Sequence, residues 1–124
     1  LHGHSFSANP VACAAALSSL DLFNEDKTFI KIEEISKIHN DCLKKISKLQ
    51  NISKIRKLGT IAAFDFKNIS DSYGSLESLE MRKKFLENGL LLRPLGNTVY
   101  FMPPYCIKKE NLINSYEKLI EILQ

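Results

Sequence analysis

The sequence predicts an α+β fold, with helices on one face of a mostly antiparallel sheet and a connecting helix in front. Two observations carry this. Apolar residues recur every three or four positions over 28–49, 76–87 and 109–123, the spacing of amphipathic helices. Between 51 and 67 the period drops to two, and short apolar runs at 90–93 and 98–102 are bounded by turn residues, as in strands. The predicted order is α-α-β-β-α-β-β-α, without internal repeat or low-complexity tract.

The first helix opens at Asn9-Pro10, where Asn caps and Pro takes the first helical position. Its run Val11-Ala12-Cys13-Ala14-Ala15-Ala16-Leu17 is apolar on nearly every face, so burial all round or very close packing against another backbone is expected. It extends to about Phe23, and Asn24-Glu25-Asp26-Lys27 breaks it. The second helix turns Phe29, Ile32, Ile35, His39, Cys42, Ile46 and Leu49 to one side, with Lys37, Lys44, Lys45 and Lys48 on the solvated side. His39 in that register reads as a packed histidine. Two strands follow, bending at Leu58-Gly59, with Ala62, Phe64 and Phe66 alternating against Ile61, Ala63 and Asp65. After a polar loop at 68–75, a third helix is expected to turn Leu79, Phe85 and Leu86 inward and to end at Asn88-Gly89. The strand Leu90-Leu91-Leu92-Arg93 stops at Pro94, Leu95-Gly96-Asn97 turns, and a second strand runs into Pro103-Pro104. The last helix carries Leu112, Ile113, Tyr116, Leu119, Ile120 and Leu123.

The chain has 124 residues, 44% of them hydrophobic and 25% charged, which argues for a packed domain and against disorder. A net charge of +3 is too small an excess to mark a nucleic-acid surface. No apolar run reaches the roughly 20 residues of a membrane helix. Cys13, Cys42 and Cys106 are widely spaced and fit free thiols in a reducing cytoplasm. The first residue is Leu1, directly ahead of a dense motif, so the sequence reads as a piece of a longer chain.

Two stretches can carry chemistry. In His2-Gly3-His4-Ser5-Phe6-Ser7-Ala8-Asn9-Pro10, hydroxyls and backbone N–H groups ahead of a helix N-terminus suit an anion such as phosphate. A capped loop with no ligand accounts for the same residues. His2 and His4 have no third ligand nearby, so no metal is expected. In the second stretch, Arg93 closes an apolar run, and a guanidinium there can fork onto a carboxylate. A strand-end arginine bonded to a loop carbonyl is the alternative. Tyr100, on the paired strand, can bring its hydroxyl to the same place or pack in the core. No nucleophile sits beside a base at triad spacing.

The first motif, through Val11-Ala12-Cys13-Ala14-Ala15-Ala16, resembles the H-G-x-[ST]-F-x-x-N-P-x-A-x-A-A stretch of class III (fold type I) pyridoxal-phosphate aminotransferases. Leu92-Arg93-Pro94-Leu95-Gly96 and Val99-Tyr100-Phe101-Met102-Pro103-Pro104-Tyr105 resemble their C-terminal portion, and in combination point to a keto-acid aminotransferase. The resemblance implies pyridoxal 5'-phosphate as cofactor and a homodimer acting on small molecules, with no nucleic-acid or membrane partner. It implies that Ser5 binds the cofactor phosphate, reaching into the partner's site, and that Gly3 lets substrate and cofactor approach. Arg93 would pair with the substrate carboxylate, with Tyr100 close by. Residues 1–24 would be the end of the cofactor-domain loop and the connecting helix, and 25–124 the C-terminal small domain. The family's cofactor-bearing lysine lies upstream of the His-Gly motif, so no catalytic residue is expected here and these residues alone would be inactive. Another class III enzyme acting on an ω-amino acid, or a non-catalytic α+β ligand-binding module, stay open as alternatives.

Overall fold

A computed structural model describes residues 3–25 and 27–124. The elements are α1 (Pro10–Glu25), α2 (Thr28–Ile46), β1 (Ile52–Leu58), β2 (Ile61–Phe66), α3 (Leu76–Glu87), β3 (Thr98–Phe101) and α4 (Lys109–Leu123). The strands form one antiparallel sheet in the order β1-β2-β3. The α+β class is therefore as predicted.

Period-two alternation divides the sheet into two faces. Ala62, Phe64 and Phe66 of β2 share one face with their neighbours Phe101, Val99 and Ile52, and all six are buried. Helices α2 and α4 supply the other half of this core through Ile35, Cys42, Ile46, Leu112, Tyr116 and Leu119. The Tyr116 ring stacks on Phe101 with centroids 4.2 Å apart. His39 is fully buried here, as its register predicts.

The opposite face carries a polar cluster. The Asp65 carboxylate accepts from Thr98 Oγ1 at 2.7 Å and meets Arg56 Nη1 at 2.8 Å and Lys54 Nζ at 3.7 Å. Lys54 occupies the left-handed region (φ 45°), where the β1–β2 register shifts between Ser53 and Arg56. A bulge there re-aims the strand, and Lys54 and Arg56, two positions apart, both reach the one carboxylate.

Three expectations are corrected. Helix α1, apolar as it is, has no buried residue: Val11, Leu17, Leu20 and Leu22 are all exposed. Its anchorage is at its C-terminal end, where the Phe23 ring lies 6.0 Å from Phe29 and 5.7 Å from Tyr105. Helix α3 is rotated from its predicted face. Ser78 and Phe85 are buried and Met81 packs beside them, whereas Leu79 and Leu86 remain about half exposed. Seating the Phe85 ring in the core decides that rotation, because residues seven apart share a face and Leu79 and Leu86 then turn away together. Residues 90–93, expected as a strand, form no ladder. The turn at 95–98 is closed by reciprocal bonds between Leu95 and Thr98 and tied to β2 through Asn97, which accepts from Phe66 N–H and donates to its carbonyl. Pro94, with φ fixed near −65°, carries the chain off the strand path behind it.

Candidate functional site

The two predicted stretches fall in different places. Among the described residues of the first loop, Gly3 and Ser5 are exposed, and a side chain at Gly3 would meet only open space. His2 lies outside the described residues. The loop bonds largely to itself. His4 N–H donates to Ser7 Oγ, Phe6 N–H to His4 Nδ1, and Ser7 N–H to the His4 carbonyl. Asn9 then caps α1, its Oδ1 accepting from Val11 N–H at 3.0 Å and Ala12 N–H at 3.3 Å. This changes the anion reading. Pro10 has no N–H and Asn9 occupies the next two donors, so the helix end is satisfied from within. The Ser5 hydroxyl and its own N–H are left without a partner among the described residues. That donor pair suits a phosphate oxygen.

The second stretch forms a groove of about 390 Å³. Leu90, Leu91, Leu92, Met102, Pro103 and Pro104 make its apolar wall, and Arg93 and Tyr100 are on the same lining. Tyr100 is half-buried and pairs in register with Ala63 on the polar sheet face. Arg93 is exposed, and its Nη2 donates to the Tyr73 hydroxyl. The guanidinium carbon lies 5.9 Å from the Tyr73 ring centroid, within cation–π range. The structure thus brings Arg93 and Tyr100 together and keeps Gly3 and Ser5 off the groove lining.

Sequence reasoning passed over Tyr73, which sits in a polar loop with no apolar period to flag it. It also passed over Arg56 and Lys54 as partners of Asp65. An acid one strand away from alternating basic residues is a signal, but only a known register makes it a contact. No group of three or more His, Cys, Asp and Glu among the described residues is placed to hold a metal. No helix among them is long and apolar enough to cross a membrane.

The family model described as aminotransferase class-III matches residues 1–123. The chain belongs to the class III aminotransferases, a family that depends on pyridoxal phosphate. It is similar to adenosylmethionine-8-amino-7-oxononanoate aminotransferases. The one from Helicobacter pylori is 40% identical over 99% of this chain, and the one from Synechococcus elongatus 36% identical over 98%. This chain spans 28% of the length of each. The crystal structure of the Methanocaldococcus jannaschii enzyme of that name superposes with a TM-score of 0.86 at 25% identity, covering 98% of this chain and 29% of that one.

Proposed function

We propose that this chain is the C-terminal part of an aminotransferase of biotin synthesis. The whole enzyme would move an amino group from S-adenosylmethionine, or another donor, to 8-amino-7-oxononanoate, giving 7,8-diaminononanoate. The donor's amine-bearing carbon becomes a carbonyl, and its nitrogen passes to the acceptor's ketone carbon, which becomes the amine-bearing one. The observation that carries this reading is the groove. One guanidinium at the end of a wall of leucine, methionine and proline suits a molecule with a carboxylate and a medium-length apolar chain, which is the chemistry of an oxononanoate.

The chain's own residues divide the work. Arg93 binds the acceptor carboxylate and so fixes which end of the substrate faces the reacting centre. Tyr100 lines the same groove and limits how the chain of the substrate can lie. Ser5, whose hydroxyl and N–H have no partner among the described residues, would hold the cofactor phosphate, and Gly3 would leave room beside it. Pyridoxal phosphate supplies the electron sink when bound. The loop would serve a partner's site in a homodimer, as the resemblance to the family implies, and the exposed apolar residues of α1 would be a surface for such an assembly to cover. The family's cofactor-bearing lysine would lie upstream of the His-Gly motif in the whole enzyme, so these residues alone would be inactive. Free thiols at Cys13, Cys42 and Cys106 fit a cytoplasmic setting.

The test is Arg93→Ala in the full-length enzyme, with the donor and acceptor half-reactions measured separately. Loss of a hydrogen-bonded charge costs about 1.5–3 kcal/mol, or roughly ten- to a hundredfold. That loss should fall on KM for the keto acid and spare the donor. Equal loss in both half-reactions, or none, removes Arg93 from the substrate site.

A further inference from the structure

We infer that Tyr73 is a positioning residue for Arg93, holding the guanidinium so that a carboxylate meets its remaining N–H groups. This rests on the reading of Arg93 given above. Among the described residues Tyr73 is the only hydrogen-bond partner of that guanidinium, through Nη2, and its ring also lies within cation–π distance. The partner is a phenol rather than a carboxylate. An acidic residue in its place would hold the arginine equally well but would cancel the charge a substrate carboxylate needs. A phenol holds the side chain and leaves the charge available.

Tyr73 is itself 71% exposed, so its place depends on the loop that carries it. That loop is pinned on both sides. Before Tyr73, Asp71 lies against the turn that follows Arg93: a Cβ built on Gly96 would come within 2.2 Å of the Asp71 carbonyl oxygen. Only glycine fits there, and its φ of +57° also favours glycine. After Tyr73, Ser75 caps α3, its side chain accepting from Ser78 N–H. The Gly96 contact ties the turn beyond Arg93 to the loop bearing Tyr73, so the two side chains are held from a common base. A long, exposed arginine loses rotamer freedom when it grips a ligand. A partner that already restrains it lowers that cost.

The experiment uses full-length holoenzyme with Tyr73→Phe, Arg93→Ala and the double variant. It reads the two half-reactions, and the Kd of a medium-chain monocarboxylate that lacks the ketone. Tyr73→Phe is expected to raise KM for the keto acid and Kd for the monocarboxylate about three- to tenfold. The donor half-reaction and kcat should stay unchanged, and no further loss should appear on the Arg93→Ala background. If Arg93→Ala is selective for the acceptor while Tyr73→Phe matches the unaltered enzyme, the role of Tyr73 is overturned and that of Arg93 stands. Tyr73→Phe lowering both half-reactions alike also overturns it. If Arg93→Ala is unselective, both readings fall together.

Discussion

His39 and Tyr116 meet in the core through a hydrogen bond of 2.6 Å between Nδ1 and the phenol oxygen. The other ring nitrogen, Nε2, lies 2.9 Å from the Thr60 carbonyl. A carbonyl only accepts, so Nε2 carries the proton and donates. In the neutral ring Nδ1 then accepts from the Tyr116 hydroxyl. One imidazole thereby joins α2, α4 and the β1–β2 turn, with every polar atom paired. Burial pushes the phenol's pKa up, so it remains a donor throughout the physiological range.

This link predicts a pH dependence of stability. Burial holds the His39 pKa below its ordinary value of 6.5, with the Thr60 carbonyl opposing and the Lys57 charge assisting. The unfolded chain takes up a proton near pH 6.5 and the folded chain resists it. Stability is therefore full above about pH 6.5 and declines as pH falls below it. Urea midpoints at pH 7.5 and 5.5 should show the decline, and His39→Asn should flatten it. Tyr116→Phe, which leaves Nδ1 unpaired, should cost about 1–3 kcal/mol at pH 7.5.

Asp65 gives an acid-side counterpart. Burial raises its pKa, but the hydrogen bonds from Thr98 and Arg56 and the charges of Arg56 and Lys54 outweigh that, and the net shift is downward. Its contribution is present above the ordinary carboxylate value and is lost as pH falls through the folded value. Arg56 is 48% exposed, so solvent screens the pair. Asp65→Asn should cost about 1 kcal/mol near neutrality, read as a lower urea midpoint. The variant's acid unfolding should begin from that reduced stability with a shallower slope below pH 4.

For the phosphate loop, Ser5→Ala in the full-length enzyme should weaken cofactor retention about ten- to a hundredfold, the value of one hydrogen bond to a charged group. Asn9→Ala should act differently. It removes the α1 cap, at about 1 kcal/mol of helix stability, with a smaller effect on the cofactor. Dialysis against buffer and measurement of retained pyridoxal phosphate separates the two. Unchanged retention in Ser5→Ala would take Ser5 out of the site.

Arg93→Lys should recover only part of what Arg93→Ala loses. An ammonium keeps the charge but cannot make a two-pronged contact with a carboxylate. It also gives up the Nη2 group that donates to the Tyr73 hydroxyl. Keto-acid KM for the three proteins should rank Arg, Lys, Ala from lowest to highest. A lysine variant equal to the original would mean that charge alone is recognised.

Elements whose periods are strong were legible without coordinates. The register of α2 placed Ile35, His39, Cys42 and Ile46 inward, and alternation in β2 placed Phe64 and Phe66 on one face. The motifs from His2 to Ala16 and from Leu92 to Tyr105 were sufficient to find the family, because they combine local requirements: a cap, a turn, an arginine at the end of an apolar run. Tertiary structure alone decided the rest. Helix α3 turned on the fit of Phe85, a matter of volume that spacing does not express. The apolar α1 stayed outside this core because hydrophobicity says that a surface needs covering and not what covers it. Tyr73 reached Arg93 across twenty residues, through a contact between Gly96 and Asp71 that no local pattern encodes. Periodicity is a property of neighbours along the chain, whereas which loop backs a guanidinium depends on where the packed elements bring distant residues together.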